Sequence, residues 1–422
     1  MCVRGDSPQV DYAALCGRND LIYLRPAIYP FEAMHLGNGN LGVCLWNEAG
    51  VTWQLNHGSY RRVNEPMSSG KVTLATPALR AAKPDKFLQR TSLWDGTVTT
   101  STESPAGKAE MLSFVAEGED LLVVRCRETG SGSRTLTLHL WRDTAHFMTG
   151  PDFVALTEHA DHSEAYLATG MAVLVKVDGA RVAAAQRDDR TLTLTLSGAP
   201  GDYTIYVANP LVRGTEQDAL AAAHASIARA RAKGVDKLLA ERRAFWREFW
   251  PKSFLHVTSP RGEGDFLENL WYLFFYDLAS MSRHTLCPKF NGGNWMIEKD
   301  SRWWGGGYWH QNTREIFWPT YGANHVELAE PFFELYGRAA ACARQNGRVG
   351  PGVDGPADGY TLEVSTDGVT WNQAADRPTT HAAPVGQIEV LPSPVSARRL
   401  RLRLLGRYNG PIHLDEITVY GK

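Results

Sequence analysis

The chain has 422 residues, which is too long for one ordinary globular core, so two or three domains are expected. Its 44 Lys and Arg residues nearly balance its 46 Asp and Glu residues, and the net charge is −2. This balance gives no electrostatic reason to bind nucleic acid or an anionic membrane, and it favours a neutral polymer or small molecule as the partner.

The first residues carry no apolar segment of the kind that a signal peptide has, and no run of about 18 apolar residues predicts a transmembrane helix. Six cysteines lie at scattered positions without a Cys-x-x-Cys pair. That spacing argues against a zinc site and against a disulfide-rich scaffold, so buried free thiols are expected and no metal or other cofactor is predicted.

Residues 20–212 are expected to form an N-terminal antiparallel β-super-sandwich. Segments 41–46, 51–55, 134–141 and 190–196 alternate apolar and polar side chains with the period of a strand buried on one face. Gly, Asp, Asn and Pro separate them, and no helical stretch intervenes. Antiparallel strands are therefore favoured over strands joined by helical crossovers.

Residues 213–262 are expected to form linker helices. Thr215 and Asp218 have the spacing of a capping box at the start of the first helix, and Gly234 interrupts the helical pattern. The second helix has one apolar stripe for docking on a neighbour. Basic residues such as Arg242 are expected to stay in solvent.

Residues 263–348 are expected to form the start of an (α/α)6 barrel. Residues 266–278 are apolar nearly all round, as in a helix that is covered on both sides. A last helix is predicted at 329–344, with Pro331 in its first turn, where a missing N–H is tolerated.

Residues 349–358 are rich in Gly and Pro and form a linker by composition, and residues 359–422 form a small β module. Four strands are few for a two-sheet sandwich, so this module is expected to be a partial, jelly-roll type β-sandwich. Its alternating segments are 360–365, 387–391, 399–405 and 412–420.

The candidate chemistry lies between residues 283 and 327, where aromatic side chains, glycines and polar groups are concentrated. Flat aromatic faces among hydrogen-bonding groups are typical of sugar-binding sites. The candidate substrate-binding residues are Trp303, Trp304, Tyr308, Trp309 and Asn294, and the candidate catalytic residues are Asn312, His310 and Glu315.

If a helix begins near Asn312, then Asn312 and Glu315 share one face, with residues 316–318 packed behind them. Plainer interpretations stay open beside this one. The tryptophans are then core residues, His310 is a buried imidazole with satisfied hydrogen bonds, and Asn312 is a helix cap.

Glu298, Asp300 and Glu315 are the candidate carboxylates of this region. Hydrolysis of a glycosidic bond needs two carboxyl groups set roughly 5 to 10 Å apart. Sequence spacing does not establish that distance, and the alternative is that all three are solvated surface residues.

Two motifs resemble the glycoside hydrolases built from a β-sandwich and an (α/α)6 barrel that are typified by the family 95 α-L-fucosidases. They are Leu-Gly-Asn-Gly-Asn-Leu-Gly at 36–42 and His-Gln-Asn-Thr-Arg-Glu-Ile-Phe-Trp-Pro at 310–319, and the resemblance covers about residues 20–348. It implies that Asn312 helps to position the attacking water. His310 takes the place of the family's first asparagine.

The same resemblance implies an inverting enzyme for α-linked sugars, with its general acid and base downstream of these motifs and a secreted or periplasmic location. Fewer helices are predicted before residue 349 than a complete barrel requires. Residues 360–371 and 397–421 resemble the second half of a discoidin-type (coagulation factor 5/8 C-type) carbohydrate-binding domain. An internal deletion that truncates both domains is therefore expected.

Three functions follow from these observations. The first is a glycoside hydrolase of the family 95 type, catalytically incomplete in this chain, with an oligosaccharide or polysaccharide as its partner. The second is a non-catalytic carbohydrate-binding protein with the same aromatic cluster. The third assigns acid or base chemistry to Glu298, Asp300 or Glu315 in a rearranged site.

Overall fold

The computed structural model places the chain in a mixed β and α class, as the sequence predicts. It describes residues 10–62, 65–80, 86–130, 132–159, 169–197, 201–283, 287–289, 291–297, 310–346, 358–379 and 399–404. The chain divides into two compact units, Met1–Phe333 and Glu334–Lys422.

The first unit is built mainly from strands. They are β1 (Leu21–Tyr23), β2 (Met34–Gly37), β3 (Leu41–Asn47), β4 (Val51–Arg62), β5 (Glu65–Ala75), β6 (Lys86–Ser92), β7 (Thr97–Ser104), β8 (Gly107–Val115), β9 (Leu121–Glu128), β10 (Arg134–His139), β11 (His146–Thr149), β12 (Val154–His159), β13 (Gly170–Asp178), β14 (Arg181–Arg187), β15 (Thr191–Ser197), β16 (Asp202–Ala208) and β17 (Leu211–Val212).

These strands form two large antiparallel sheets. The ten-stranded sheet has the order β1-β6-β7-β8-β9-β16-β13-β12-β11, with β17 paired to β13, and the seven-stranded sheet has the order β14-β15-β10-β5-β4-β3-β2. Alternation along β15 buries Leu192, Leu194 and Leu196 while the intervening threonines are half-buried. The period-two prediction of strands is therefore confirmed here.

The two sheets share one hydrophobic core. Leu55 and Val72 of the seven-stranded sheet and Val124 and Ile205 of the ten-stranded sheet belong to the same cluster and are fully buried. At about 25 cal/mol for each Å² of apolar surface removed from water, this cluster is the main stabilising feature of the unit.

The α-helices of the described residues are α1 (Tyr12–Gly17), α2 (Glu216–Lys233), α3 (Val235–Phe249), α4 (Glu263–Met281), α5 (His310–Glu315), α6 (Trp318–Gly322) and α7 (Glu330–Asn346). Short 3-10 helices occur at Pro30–Glu32, Trp250–Lys252 and Val326–Ala329. The predicted last helix at 329–344 corresponds to α7.

The start of α2 has the predicted capping box. The Asp218 N–H donates to Thr215 Oγ1 at 3.2 Å, and the Thr215 N–H donates to Asp218 Oδ2 at 2.8 Å. Gly234 interrupts the helical pattern as predicted and separates α2 from α3 with a φ of 85°. Buried alanines of α2, among them Ala219, pack on the outer face of the ten-stranded sheet.

The prediction that residues 266–278 are covered on both sides is wrong for the described structure. Glu268, Tyr272 and Phe275 of α4 are buried, whereas Phe266 and Leu270 on its opposite side are 63% and 47% exposed. The described layers pack against one face of α4, so an apolar sequence pattern all round the helix does not imply two covering layers.

The second unit contains one described three-stranded sheet of β18 (Asp358–Ser365), β19 (Asn372–Thr379) and β20 (Arg399–Leu404), in the order β19-β18-β20. The strands β18 and β20 match the predicted segments 360–365 and 399–405. The predicted strands 387–391 and 412–420 lie outside the described residues, and the jelly-roll layout stays a prediction.

Cys16, Cys44, Cys126 and Cys287 are buried free thiols, as their scattered spacing predicts. Cys2 lies outside the described part of the chain. Of the helices in the described ranges, none is both long and apolar enough to cross a bilayer.

Replacing Gly96 by Ala is expected to lower the free energy of unfolding by about 2–4 kcal/mol. Gly96 has a φ of 63°, and a Cβ there would lie 1.8 Å from Nε1 of buried Trp246. Gly118 has a similar φ of 72° with no atom within 4 Å of its Cβ, so Gly118→Ala is the control and should cost about 1 kcal/mol. Denaturant unfolding measures both, and equal losses would contradict the clash.

Candidate functional site

The Leu-Gly-Asn-Gly-Asn-Leu-Gly motif forms the turn between β2 and β3. Asn38 Oδ1 accepts from the N–H groups of Asn40 and Leu41 at 3.1 and 3.0 Å. Its Nδ2 donates to the carbonyls of Ala116 and Glu119, each at 2.9 Å. One buried amide therefore holds this turn in shape and ties it to the turn between β8 and β9.

The glycines of the motif let other elements approach its backbone closely. The Gly39 N–H donates to Ser280 O at 2.8 Å, and Gly39 has a φ of 99°. A Cβ on Gly37 would lie 2.3 Å from Ser280 O, and one on Gly42 would lie 2.9 Å from Asn294 O. The motif is therefore where the end of α4 and the segment 291–297 dock on the sandwich.

Asn294 has a structural role in this docking rather than the predicted contact with substrate. Its side chain is 4% exposed, and its Nδ2 donates to Gly39 O at 3.1 Å and to Met281 O at 3.4 Å. Because both amide hydrogens are directed to backbone carbonyls, Asn294 joins the turn, the end of α4 and its own loop.

Trp295 also contributes to the docking of the segment 291–297 on the sandwich, and the half-buried pair of His35 and Asp277 lies beside its ring. Its Nε1 donates to Leu36 O at 3.2 Å, and the His35 ring stacks on its indole with 4.4 Å between the ring centroids. His35 Nδ1 lies 3.3 Å from Asp277 Oδ1. The sequence analysis missed this pair because Asp277 is 242 residues from His35 along the chain.

The Glu117 carboxylate, whose side chain is 19% exposed, lies between two arginines next to the turn. Glu117 Oε1 accepts from Arg242 Nη1 at 2.6 Å, and Glu117 Oε2 accepts from Arg283 Nη1 at 2.9 Å. Arg242 also donates to Gly37 O at 2.9 Å and to Gly96 O at 3.0 Å. The prediction that Arg242 stays in solvent is wrong, since its side chain is fully buried and hydrogen-bonded to two turns of the sandwich.

Electrostatics keeps this cluster charged. Burial raises the pKa of Glu117, but the guanidiniums of Arg242 and Arg283 outweigh it and leave that pKa below its usual value. Burial lowers the pKa of Arg283 to about 10 although Glu117 acts in the opposite direction. Glu117 and Arg283 are therefore ionised near neutral pH.

The three candidate catalytic residues all lie on α5, with Asn312 and Glu315 at i, i+3 spacing on one side and His310 on another. His310, Asn312 and Glu315 are all exposed, whereas Thr313 between them is buried. The interpretation of His310 as a buried imidazole is therefore wrong. Asn312 lies inside α5, which begins at His310, so it is not the cap of this helix.

Two exposed aromatic rings follow on α6. Trp318 and Tyr321 are each 54% exposed, whereas the neighbouring Phe317 is buried. The prediction that Trp318 packs behind Asn312 is therefore wrong, because Phe317 takes the buried position. Trp318 and Tyr321 are three residues apart, a spacing that brings side chains close on a helix surface. The Arg314 guanidinium lies 5.6 Å from the Trp318 ring centre.

A ring contact and a hydrogen bond connect the segment 310–329 to other elements of the unit. Phe317 lies 5.4 Å from Phe332 between ring centres, and Thr320 Oγ1 donates to Phe317 O at 2.6 Å. Ser282 Oγ donates to Leu328 O at 2.8 Å and so connects the segment to the residue that follows α4.

The remaining candidates lie outside the described residues. They are Trp303, Trp304, Tyr308, Trp309, Glu298 and Asp300, and their roles stay predictions. Among the residues that the structure does describe, no three His, Cys, Asp or Glu side chains are grouped so that they could hold a metal ion.

A comparison of the sequence with protein-family models finds no match, and neither does a comparison with curated proteins. Among solved structures, the chain is similar to a putative kojibiose phosphorylase from the human microbiome, with 12% identity over 65% of this chain and 44% of that chain and a TM-score of 0.44. It is also similar to a bacterial glucoamylase complexed with acarbose, with 8% identity over 78% of this chain and 54% of that one and a TM-score of 0.45.

A third similar structure is a GH92 inverting mannosidase from Bacteroides thetaiotaomicron, with 12% identity, 65% and 40% coverage and a TM-score of 0.31. All three are named for action on sugars, and the chain spans 40% to 54% of their lengths. Identity and superposition are both low, so these neighbours assign neither an activity nor a substrate to this chain.

Replacing Glu117 by Gln is expected to lower the free energy of unfolding by about 3–5 kcal/mol, because two buried arginines then lack a counter-charge. Denaturant unfolding at neutral pH measures the loss. Asp236→Asn is the control, since the Asp236 partner of Arg125 is 92% exposed and its loss should cost under about 1 kcal/mol. Similar losses for the two variants would show that the cluster is not a buried charge centre.

The contribution of Glu117 to the free energy of unfolding decreases as the pH falls. Because the pKa of Glu117 is lowered in the folded state, its stabilisation is present above its unfolded pKa of about 4.3 and is lost as the pH falls below that value. The Glu117→Gln variant should therefore lose less stability than the wild type on acidification below about pH 4.3.

Proposed function

We propose that the chain carries the glycan-binding part of a glycoside hydrolase that acts on α-linked sugars, α-L-fucosides or related ones. The observation that supports this is the surface of α5 and α6. It presents an amide, an imidazole and a carboxylate on one short helix, followed directly by two exposed aromatic rings.

Each group suits one part of a sugar. The rings of Trp318 and Tyr321 offer flat apolar faces to the C–H side of a pyranose. The Asn312 amide both donates and accepts, and His310 and Glu315 add further hydrogen-bonding atoms for hydroxyl groups or for water. Trp303, Trp304, Tyr308 and Trp309 extend the aromatic surface in this proposal.

The proposed mechanism is inversion. One carboxylic acid protonates the leaving oxygen, and one carboxylate activates a water molecule on the opposite face of the sugar, with roughly 6.5–9.5 Å between the two. Asn312 orients that water. His310 stands where the family 95 enzymes have the first of their two asparagines. Asn312, His310 and Glu315 thus hold substrate and water, while the acid and base remain unassigned. Export from the cytoplasm belongs to the same proposal.

The packing of α6 supports this proposal. Phe317 and Thr320 are buried, so the buried side of α6 leaves the rings of Trp318 and Tyr321 toward solvent. Side chains held in place before binding lose less conformational entropy when a sugar arrives.

A non-catalytic carbohydrate-binding protein is the second candidate. One observation favours it, since α5 and α6 together carry a single carboxylate, Glu315, whereas hydrolysis needs two. Binding without turnover is the behaviour that this function predicts.

Replacing Asn312 by Ala is expected to weaken the binding of α-L-fucosylated oligosaccharides by about five- to tenfold, because hydrogen bonds to the sugar or its bound water are lost. Gln311→Ala is the matched control, since Gln311 is an exposed amide on the same helix and its hydrogen bond to Glu315 Oε1 is long, at 3.5 Å. It should change affinity less than about twofold. Calorimetric titration of each variant measures the affinity.

The same proteins are then assayed with aryl α-L-fucoside and aryl α-L-galactoside. Turnover by the wild type that disappears in Asn312→Ala favours the hydrolase, whereas binding without turnover favours the carbohydrate-binding protein. A folded chain that binds none of these sugars, or equal effects of the Asn312 and Gln311 substitutions, would contradict the proposed site.

A further inference from the structure

His325 occupies an unusual position at the base of the segment that carries α5 and α6. It follows Asn324, whose φ of 55° turns the backbone sharply, and its N–H donates to Thr320 O at 2.9 Å. Its carbonyl accepts from the Leu328 N–H at 3.1 Å. The imidazole is directed inward and is fully buried.

Two aromatic rings surround the imidazole. The Phe249 ring at the end of α3 stacks on it with 4.1 Å between ring centres and 20° between planes. The Phe275 ring of α4 lies 5.1 Å away at 40°. Through His325, the segment 310–329 thus packs on both α3 and α4.

The ring nitrogens of His325 have little hydrogen-bond compensation. Nε2 has no hydrogen-bond partner among the described residues, and the contact of Nδ1 with Glu327 is long. Nδ1 lies 3.5 Å from Glu327 Oε1 on its own segment. That oxygen already accepts from Lys252 Nζ at 2.6 Å, so a positive charge adjoins the same carboxylate.

The charged groups around His325 are therefore few, and they oppose one another. From α3 and α4 it meets the uncharged rings of Phe249 and Phe275, from the 3-10 helix Trp250–Lys252 it meets Lys252, and from its own segment it meets Glu327. Burial lowers the pKa of His325, Glu327 raises it and Lys252 lowers it, with a net lowering. The neutral ring fits this pocket, whereas an imidazolium would lose most of its hydration there.

We propose that His325 is a pH-sensitive positioning residue for the α5–α6 surface. In its neutral form it holds the segment 310–329 between Phe249 and Phe275. Protonation in mild acid favours the state in which the ring has left this pocket, so the segment opens locally while the sandwich stays folded. The consequence for glycan binding rests on the function proposed above, whereas the anchoring itself does not.

Proton linkage determines how the equilibrium between the closed and opened states of the segment 310–329 depends on pH. The opened state binds a proton with the ordinary histidine pKa of about 6.5, and the closed state binds it less readily. The closed state is therefore fully favoured above about pH 6.5 and loses stability as the pH falls below that value.

Hydrogen exchange of the full chain, followed by mass spectrometry at about pH 7.5 and about pH 5, tests the proposal. After correction for the intrinsic rate of amide exchange, opening of residues 310–329 in the wild type should rise by about tenfold or more at the lower pH. Peptides from the core strands of the sandwich should not change. This readout does not depend on any sugar.

His325→Phe and His325→Leu both remove the titrating group, and either variant that folds should lose the pH-dependent rise at 310–329. His224→Phe is the matched control, because His224 of α2 also packs against a phenylalanine, with 4.7 Å between the centres of its ring and that of Phe153. The control should keep the rise. An equal rise in the His325 variants, or unchanged protection in the wild type, would overturn the proposal.

Discussion

The carboxylate of Glu117, held between the guanidiniums of Arg242 and Arg283, is the polar interaction that joins the sandwich to α3 and to the end of α4. It connects the segment between β8 and β9, the middle of α3 and the second residue after α4, and Arg242 adds hydrogen bonds to the turns at Gly37 and Gly96. Glu117 compensates the charge of both arginines, and the two arginines together stabilise the charge of Glu117. The sandwich and these helices are therefore joined by a polar contact as well as by apolar packing.

The two candidate asparagines, Asn294 and Asn312, have different roles because one is buried and the other is exposed. Asn294 is buried, and its amide holds the turn at Gly39, whereas Asn312 is exposed on α5. The same side chain is a structural connector where backbone carbonyls face it, and it is a candidate ligand group where solvent faces it. The glycines of the 36–42 motif belong to the structural part, since the end of α4 approaches the backbone where a Cβ would lie. The motif that resembles a family signature thus contributes to the docking of α4 and of the segment 291–297, and its Asn38 is buried.

Local features of the fold were predictable from the sequence, and long-range partners were not. Period-two alternation in β15 and the Thr215 capping box depend on neighbours in the chain, so both were predicted correctly. Arg242 was predicted in solvent because basic residues are rarely buried, yet it shares the buried stripe of Leu238 and Trp246. Its partner Glu117 is 125 residues away, and no local pattern indicates it. For the site, the sequence indicated a helix near Asn312, where α5 lies, but it placed the exposed Trp318 behind Asn312 together with the buried Phe317.

The Glu117 cluster and the ring contacts of His325 respond differently to pH. The charges of Glu117 and Arg283 persist through the neutral and mildly acidic range, because the pKa of the carboxyl is lowered and that of Arg283 is about 10. The segment that carries α5 and α6 is held instead by rings, among them Phe249 and Phe275 around His325, and an imidazole changes charge in that range. Because the Glu117 cluster keeps its charge while His325 titrates, the α5–α6 surface is able to move without unfolding of the sandwich. The order of the two events follows from which groups titrate first, since a histidine protonates well before a carboxylate held by two arginines.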